Sequence, residues 1–155
     1  MAELRLKPFV PILFVRDVPA SAAFFRDKLG FTIDFLYGDP AFYGSVSLDE
    51  ACLHLRFVAK PNFAELAARE VSLIAASAGV SDVHRLFEEL KQRGAEIAQA
   101  PTKQPWGGTD LHVRDPDGNV ISFVAAPPPD SFARSKRANS MTSPASAHEH
   151  PGIAE

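Results

Sequence analysis

Histidine, cysteine and serine are the residues of this sequence that could act as metal ligands or nucleophiles, and they form no recognisable catalytic motif. His54 and His112 lie in separate strand-like segments, and imidazoles bind Zn, Ni or Fe when further ligands stand beside them. Cys52 lies in an apolar run, which favours a buried, unreactive thiol over a nucleophile. No Ser-His-Asp or Cys-His arrangement stands in the recognisable sequence context of a catalytic site. The Gly107-Gly108 pair does not lie between a strand and a helix, as a phosphate-binding loop does. Binding is therefore better supported than covalent catalysis.

The only tryptophan, Trp106, lies in a Pro-Trp-Gly-Gly segment that predicts a loop rather than a strand. Loops usually run over the surface, so an indole at this place is poorly positioned for a core. A planar, amphipathic ring at the mouth of a groove can stack on a flat ligand or face a cation. The alternative is a lid that covers one end of the core. Ligand contact is the interpretation we favour.

Aromatic side chains also mark the strand-like runs of the first half. Phe35 and Tyr37 are two positions apart and share one face of a strand, while Tyr43 lies on the next run. A hydroxyl-bearing ring suits a partly solvated cavity, although plain core packing explains Phe35 equally well. His54 and Arg56 share a face of the following run. The guanidinium needs a partner, either an acidic group of a ligand or a carboxylate across a dimer interface.

Composition restricts the class of protein and its partners. The chain has 155 residues, 46% of them hydrophobic and 23% charged, which favours one domain with a packed core. The formal net charge is −3 and Lys and Arg are not clustered before the C-terminal segment, so no nucleic acid partner is expected. The single cysteine excludes an internal disulfide and fits a reducing compartment. Without a signal peptide or a run of ~20 apolar residues, we expect a cytoplasmic protein with no membrane partner.

The elements that must position these residues fall into two similar halves. In the first half, the apolar run Phe9–Val15 predicts a strand buried on both faces. Asp17 provides a helix N-cap, Pro19 suits the first helical turn, and Gly30 fits a left-handed C-terminal cap. Further strands are predicted at Phe31–Tyr37, Phe42–Leu48 and Ala51–Val58.

The second half repeats this order. Val71–Val80 predicts a strand, Asp82 a helix N-cap, and Gly94 the end of a helix whose apolar residues recur at i, i+3, i+4 and i+7. Asp17 and Asp82 are 65 positions apart, so an internal duplication of a strand–helix–three-strand unit explains both halves. Further strands are predicted near Ala95–Ala100, Thr109–Arg114 and Asn119–Ala125.

Two such units predict an α+β fold in which eight strands form an open trough with the helices on its outer face. The predicted domain spans residues 1–126, with modules at about 5–60 and 70–126. Residues 127–155 begin with three prolines and are rich in Ser, Ala and charge, which predicts a flexible tail. In that tail His148 and His150 resemble a metal-binding pair only superficially.

Four ordered segments resemble the glyoxalase/bleomycin-resistance/dioxygenase superfamily, also called the vicinal oxygen chelate proteins. They are Val15–Val18, Phe24–Phe31, Trp106-Gly107 and Asp115–Asn119. The resemblance covers essentially the whole folded part and implies paired βαβββ modules. Within the superfamily the sequence looks most like the bleomycin-resistance proteins, which sequester a large cationic glycopeptide antibiotic, without chemistry, in grooves at a homodimer interface.

The resemblance also implies which residues bind the ligand. The groove aromatics of the resistance proteins fall on Phe35, Tyr43 and Trp106, and His54 takes a fourth-strand position that is aromatic in them. Ser77 stands near the place where those proteins carry a tryptophan. We therefore predict a homodimer that binds a small molecule, of the bleomycin type, at Phe35, Tyr43, His54 and Trp106.

Enzymes of the superfamily hold one divalent ion with His, Gln and Glu side chains from four strands. Here the first-strand ligand position falls on Val10, the last-strand Glu on Ser122, and Ser72–Val80 contains neither His nor Glu. The prediction is a non-catalytic protein with no metal, no cofactor and no catalytic residue. Two alternatives stay open: a metal-dependent glyoxalase or dioxygenase relative with an atypical site at His54 or His112, and a protein that holds a natural product within a biosynthetic pathway.

Overall fold

Two modules with the same strand order make up residues 3–127, the part of the chain that the computed structural model describes. The predicted tail, with His148 and His150, lies outside the described residues except for Pro127. Within residues 3–127, no helix is long and apolar enough to span a bilayer.

The first module contains strand β1 (Ile12–Val15), helix α1 (Val18–Leu29) and strands β2 (Thr32–Gly38), β3 (Ala41–Leu48) and β4 (Ala51–Phe57). Asp17 caps α1, because its Oδ1 accepts a hydrogen bond from the backbone N–H of Ala20 at 3.0 Å. Gly30 follows the helix with a φ of 78°, a left-handed conformation that glycine adopts most easily. The predicted start and end of this helix are confirmed.

The second module contains α2 (Phe63–Arg69), β5 (Ala76–Gly79), α3 (Val83–Gln92), β6 (Ile97–Lys103), β7 (Thr109–Arg114) and β8 (Val120–Ala125). The side chain of Asp82 accepts a hydrogen bond from the backbone N–H of Arg85 at 3.0 Å, so the predicted cap of α3 is also confirmed. Val83 and Leu90 bury the apolar side of this helix against the sheet.

Each module folds its strands into a separate four-stranded sheet. The orders are β1-β4-β3-β2 and β5-β8-β7-β6, with the first two strands of each order parallel and the other neighbours antiparallel. Helix α1 packs on the first sheet and α3 on the second, so each sheet has one face covered by a helix and one face without a helix, which we call its open face. On the second sheet the central residues of that face are nevertheless buried. The paired βαβββ modules and the α+β fold are confirmed.

Strand β1 differs from its prediction in length and in burial. It begins at Ile12 rather than at Phe9, which is 96% exposed. It also alternates between exposed and buried residues instead of being buried on both faces. The reason is that a helix covers only one side of its sheet, so Leu13 and Val15 enter the core while Ile12 does not.

Two elements of the second module also differ from the prediction. The strand predicted over Val71–Val80 is confined to Ala76–Gly79, the residues that pair with β8. Helix α2 was not predicted at all. It has only seven residues, about two turns, so its apolar residues Phe63, Leu66 and Ala67 do not recur often enough to distinguish a helix.

The turn between β7 and β8 joins the two modules. Asn119 Nδ2 donates to the backbone oxygen of Phe14 at 3.2 Å, and Asp117 Oδ1 accepts from the backbone N–H of Arg16 at 3.0 Å. Asp115 lies buried beneath this turn and accepts hydrogen bonds from the backbone N–H groups of Asp117 and Asn119. Burial raises the pKa of Asp115 to about 6 and outweighs these hydrogen bonds, which favour the ionised form. The sequence predicts this segment only as a turn.

Candidate ligand-binding site

The open face of the first sheet carries most of the predicted site residues. Strand register places eight side chains in two rows across it: Ile12, His54, Ser45 and Phe35 in one, and Phe14, Arg56, Tyr43 and Tyr37 in the other. Neighbours in register project from the same side of a sheet. We call these eight residues the aromatic face. Phe35, Tyr43 and His54, three of the four predicted residues, therefore share one surface.

His54 lies between the two aromatic rings of this cluster. The Tyr43 hydroxyl is 2.8 Å from His54 Nδ1, and the two ring centroids are 5.3 Å apart, edge to face. The Phe35 ring centroid is 6.0 Å from that of His54. A phenol and a neutral imidazole together carry two protons that can be donated in hydrogen bonds, one on the hydroxyl and one on a ring nitrogen. The hydrogen bond between the two side chains uses one of them. The pair thus keeps one donor, at His54 Nε2 or at the Tyr43 hydroxyl, for a further partner.

The aromatic face is open to solvent. Phe35 is 46% exposed and Tyr37 65% exposed, while Tyr43 and His54 are half-buried. The interpretation of Phe35 as a core residue is therefore wrong, because the core lies on the opposite side of the sheet. A contiguous apolar and aromatic surface on a domain of this size is typical of a binding site or an interface.

Asp34 is an acidic group on this surface that was not among the predicted site residues. The β2–β3 register shifts between Ile33 and Phe35, which makes Asp34 an extra residue in β2. Its carboxylate accepts hydrogen bonds from the hydroxyls of Ser45 at 2.9 Å and Ser47 at 2.7 Å. Asp34 is exposed and stands beside Phe35, where its charge can attract a cationic group. The only sequence signal was a lone acidic residue within an apolar strand.

Trp106 lies on the other module, in the loop between β6 and β7. The loop is closed by hydrogen bonds from the Gln104 N–H to the Gly108 oxygen at 2.8 Å and from the Gly107 N–H to the Gln104 oxygen at 2.9 Å. The indole is 52% exposed and covers Gly108 so closely that any Cβ there would clash with it. Within residues 3–127 it makes no aromatic pair with the aromatic face. A single chain therefore leaves Trp106 apart from the other three predicted residues.

The open face of the second sheet is polar. Register places Ser77, Ser122, His112 and Gln99 in one row. Asp110 precedes His112 by two positions on β7 and so shares its face, and Gln104 begins the Trp106 loop. We define these six residues as the polar face.

Asp110 is the centre of the hydrogen bonds on the polar face. Its Oδ1 accepts from Nε2 of Gln99 and of Gln104, each at 2.8 Å, and its Oδ2 lies 3.2 Å from His112 Nε2. Asp110 is 7% exposed and His112 9%. Burial alone would raise the pKa of Asp110, but the hydrogen bonds from Gln104, Gln99 and His112 prevail and lower it. The polar face thus contains a buried, ionised carboxylate at neutral pH.

The positions that bind metal in the resembled enzymes do not carry metal-binding groups here. Val10 is apolar and precedes β1, and Ser122 lies between Ser77 and His112. His54 and His112 stand on different sheets, and each bonds to a side chain of its own sheet. Among residues 3–127, no group of three or more His, Cys, Asp or Glu side chains is arranged to hold an ion. The residues present do not fit the divalent ion of those enzymes.

Two cavities of the single chain lie elsewhere, at the junction of the modules. Their volumes are about 570 and about 420 Å³, and both are lined by Phe31, Ala51, Ala78 and Phe123. Neither is lined by Phe35, Tyr43, His54 or Trp106. These two cavities of the described residues therefore do not coincide with the predicted site.

Comparison with known proteins identifies relatives of both sequence and fold. The sequence profile of the Glyoxalase/Bleomycin resistance protein/Dioxygenase superfamily matches residues 5–123. The bleomycin resistance protein of Geobacillus stearothermophilus is 30% identical over 125 residues, which cover 74% of this chain and 92% of that protein.

Solved structures agree with this similarity. The bleomycin-binding protein from bleomycin-producing Streptomyces verticillus, complexed with copper(II)-bleomycin, superposes with a TM-score of 0.62 at 30% identity, covering 80% of this chain and 99% of that one. A glyoxalase-related enzyme from Clostridium phytofermentans superposes with a TM-score of 0.64 at 20% identity, covering 79% of this chain and 97% of that one. The second likeness is one of fold alone.

Proposed function

The chain belongs to the Glyoxalase/Bleomycin resistance protein/Dioxygenase superfamily, and we propose that it binds and sequesters a bleomycin-type antibiotic without catalysing a reaction. The observation that carries this proposal is the solvent-open aromatic face beside an acidic residue. The proposed ligand is a large cationic molecule with flat aromatic groups. Its proposed site is a groove at a homodimer interface, in a protein that acts in the cytoplasm.

The aromatic face supplies the contacts that such a ligand needs. Phe35 and Tyr43 present ring surface for stacking, and each aromatic pair contributes about 0.5–1.5 kcal/mol beyond the area that it buries. The Tyr43–His54 pair offers one hydrogen-bond donor. Asp34 adds a negative charge at the same surface, which favours a cation over a neutral molecule of equal shape.

A homodimer would complete the site. Ile12 and Phe14 belong to the edge strand β1 and are 48% and 47% exposed, which leaves apolar surface uncovered in a single chain. Association through a two-fold axis would cover part of this surface and could place the Trp106 loop of one copy against the aromatic face of the other. In that arrangement all four proposed ligand-binding residues, Phe35, Tyr43, His54 and Trp106, line one groove.

Binding, assembly and the absence of turnover are tested together. Purified protein treated with a chelator is titrated with metal-free bleomycin by calorimetry, and its mass is measured by sedimentation equilibrium at micromolar concentration. We expect a dimer that binds the drug with a micromolar or lower Kd and releases it chemically unchanged. No binding at micromolar drug, or drug converted to a product, contradicts the proposed function, while a monomer contradicts the shared groove.

A further inference from the structure

The polar face contains a buried charge for which the proposed function has no use. Asp110 is ionised and almost fully buried, yet the side chains that bond to it are two neutral amides and one imidazole. No Lys or Arg pairs with it within residues 3–127. A buried carboxylate without a cationic partner is costly unless it is well hydrogen-bonded. Within residues 3–127, His112 in its protonated form is therefore the only side chain that can neutralise the Asp110 charge.

The bonds to Asp110 fix the orientation of both glutamine amides. A carboxylate can only accept hydrogen bonds, so Gln99 and Gln104 must turn their NH₂ groups toward it. Each amide then keeps its Oε1 as an acceptor, and within the described residues no donor bonds to either oxygen. Both side chains are half-buried rather than enclosed. Two acceptor oxygens on half-buried side chains therefore have no partner within the described residues.

His112 adds a third acceptor by the same reasoning. Its Nε2 faces Asp110 Oδ2 at 3.2 Å and must carry the proton of that bond. In a neutral imidazole the other nitrogen, Nδ1, is then without a proton and accepts. The polar face thus presents two amide oxygens and, while His112 is neutral, its Nδ1 as acceptors around one negative charge.

Trp106 stands next to this group of acceptors along the chain. It lies two positions after Gln104, inside the loop that the hydrogen bond between Gln104 and Gly108 closes. The face of an indole attracts cations, most strongly where water is excluded. The indole face and the acceptors around Asp110 both favour a positively charged group that carries N–H donors.

We propose that the polar face is a subsite for a cationic nitrogen group of the amidinium, guanidinium or ammonium class. The group donates to Gln99, Gln104 and His112 and lies in the field of Asp110. The inference deepens the proposed function, on which it rests for the presence of a ligand at the open faces. It assigns the flat part of that ligand to the aromatic face and its cationic nitrogen to the polar face.

The test compares two small probes of nearly equal shape. Benzamidine is a cationic amidine on a flat ring, and benzamide is its neutral counterpart. Each is titrated into the full-length protein while ¹H–¹⁵N NMR follows the side-chain NH₂ signals of Gln99 and Gln104 and the indole N–H of Trp106. We expect benzamidine to shift these signals and to bind at least about ten-fold more tightly than benzamide, the factor that one charge-assisted hydrogen bond provides.

Variants separate the subsite from general attraction between charges. Asp110→Asn keeps the shape but removes the charge, so it should bring the two affinities to within about two-fold of each other. Asp49→Asn removes a carboxylate from the β3–β4 turn, outside both open faces, and should leave the preference unchanged. If Asp110→Asn does not fold, Gln104→Met removes one acceptor from a half-buried loop position and should weaken benzamidine about three- to ten-fold with benzamide unaffected.

The outcomes distinguish this inference from the proposed function. Equal affinity for the two probes, or a preference that survives both Asp110→Asn and Gln104→Met, overturns the subsite. Bleomycin binding without any preference for benzamidine also overturns the subsite and leaves the proposed function intact. A preference for benzamidine in a protein that does not bind bleomycin supports the subsite and contradicts the proposed ligand.

Discussion

The open faces of the two sheets share one strand arrangement and carry opposite chemistry. In both sheets a serine and a histidine are neighbours across the third and fourth strands of the module, Ser45 beside His54 in one and His112 beside Ser122 in the other. The histidine lies on the fourth strand of the first module but on the third strand of the second. Its hydrogen-bond partner also differs between the two modules. His54 bonds to the phenol of Tyr43, whereas His112 bonds to a carboxylate, Asp110.

This exchange shows how one backbone supports two kinds of recognition surface. The first face keeps its rings exposed and its acidic residue, Asp34, at the surface. On the second face the acidic residue, Asp110, is buried, and it accepts hydrogen bonds from two amide NH₂ groups. The topology determines which residues are neighbours, and the side chains at those positions decide whether the surface stacks or accepts hydrogen bonds.

The largest expected effect is a difference in the free energy of unfolding between variants of the two acidic residues, Asp110 and Asp34. Asp110→Ala leaves two amides and an imidazole without their shared partner in a buried place, so it should lower the free energy of unfolding by about 3 kcal/mol or more. Asp34→Ala removes an exposed carboxylate that water can replace and should cost about 1 kcal/mol or less. Urea denaturation of both variants makes the comparison, and equal losses would show that the two faces do not differ in this way.

The next effect is a pH dependence of the free energy of unfolding, which arises in the β7–β8 turn of the second module. The pKa of Asp115 is raised by burial to about 6 from an ordinary value near 3.8, so the folded state holds that proton more tightly than the unfolded state. Its contribution to stability is complete below about pH 4 and is lost as the pH rises to about 6, a change of about 3 kcal/mol. Asp110 acts with the opposite sign, because its lowered pKa gives stability that is lost only as the medium becomes more acidic than about pH 4.

Urea midpoints between pH 3 and pH 7 measure both contributions. Asp115→Asn should flatten the fall in stability between about pH 4 and pH 6 while leaving the loss at lower pH in place. An unchanged slope in that variant would mean that Asp115 titrates like an ordinary exposed carboxyl group.

A smaller effect concerns ligand affinity at the aromatic face. Phe35→Ala removes a half-exposed ring beside His54 and should raise the Kd for bleomycin about ten-fold, since a ring at a binding surface contributes about 1–2 kcal/mol. The matched control is Phe9→Ala, which removes an equally large ring from the segment before β1 and should change the Kd by less than about two-fold. Equal weakening by both variants in a calorimetric titration would remove the aromatic face from the site.

The smallest effect distinguishes the two tyrosines of the chain. Tyr43→Phe leaves His54 Nδ1 without its partner and should lower the free energy of unfolding by about 1 kcal/mol. Tyr37→Phe removes a hydroxyl from a mostly exposed ring and should have no measurable effect. Thermal or urea denaturation, with the imidazole ¹⁵N signals of His54 as a second readout, compares the two, and identical stabilities would mean that the Tyr43–His54 bond contributes nothing.

Most of the fold was predictable because its signals are local. Asp17, Asp82 and Gly30 mark helix ends through groups within a few residues of themselves, and the structure confirms them. Helix α2 was not predictable, since its seven residues are too few for an apolar helical period to stand out. The exposure of Ile12 depends on the fact that a helix covers only one face of the sheet, which an apolar run does not reveal.

The residues of the candidate site were predictable only where the alternation of side chains between the two faces of a strand determines which of them lie together. The common face of Phe35, Tyr43 and His54 follows from alternation and strand pairing, and the same rule could have paired Asp110 with His112. The bulge at Asp34 and the approach of Gln104 to Asp110 depend on register and on loop closure. Neither leaves a pattern in the sequence.

Non-catalytic drug binding can be followed through the intrinsic fluorescence of Trp106, which as the only tryptophan reports on one loop. The protein is stripped with a chelator and titrated with metal-free bleomycin. Non-catalytic binding at the open faces predicts a saturable change in emission without any metal, with a larger Kd in Phe35→Ala. An emission that responds only after a divalent ion is restored would rule out metal-free binding and point to a metal-dependent enzyme.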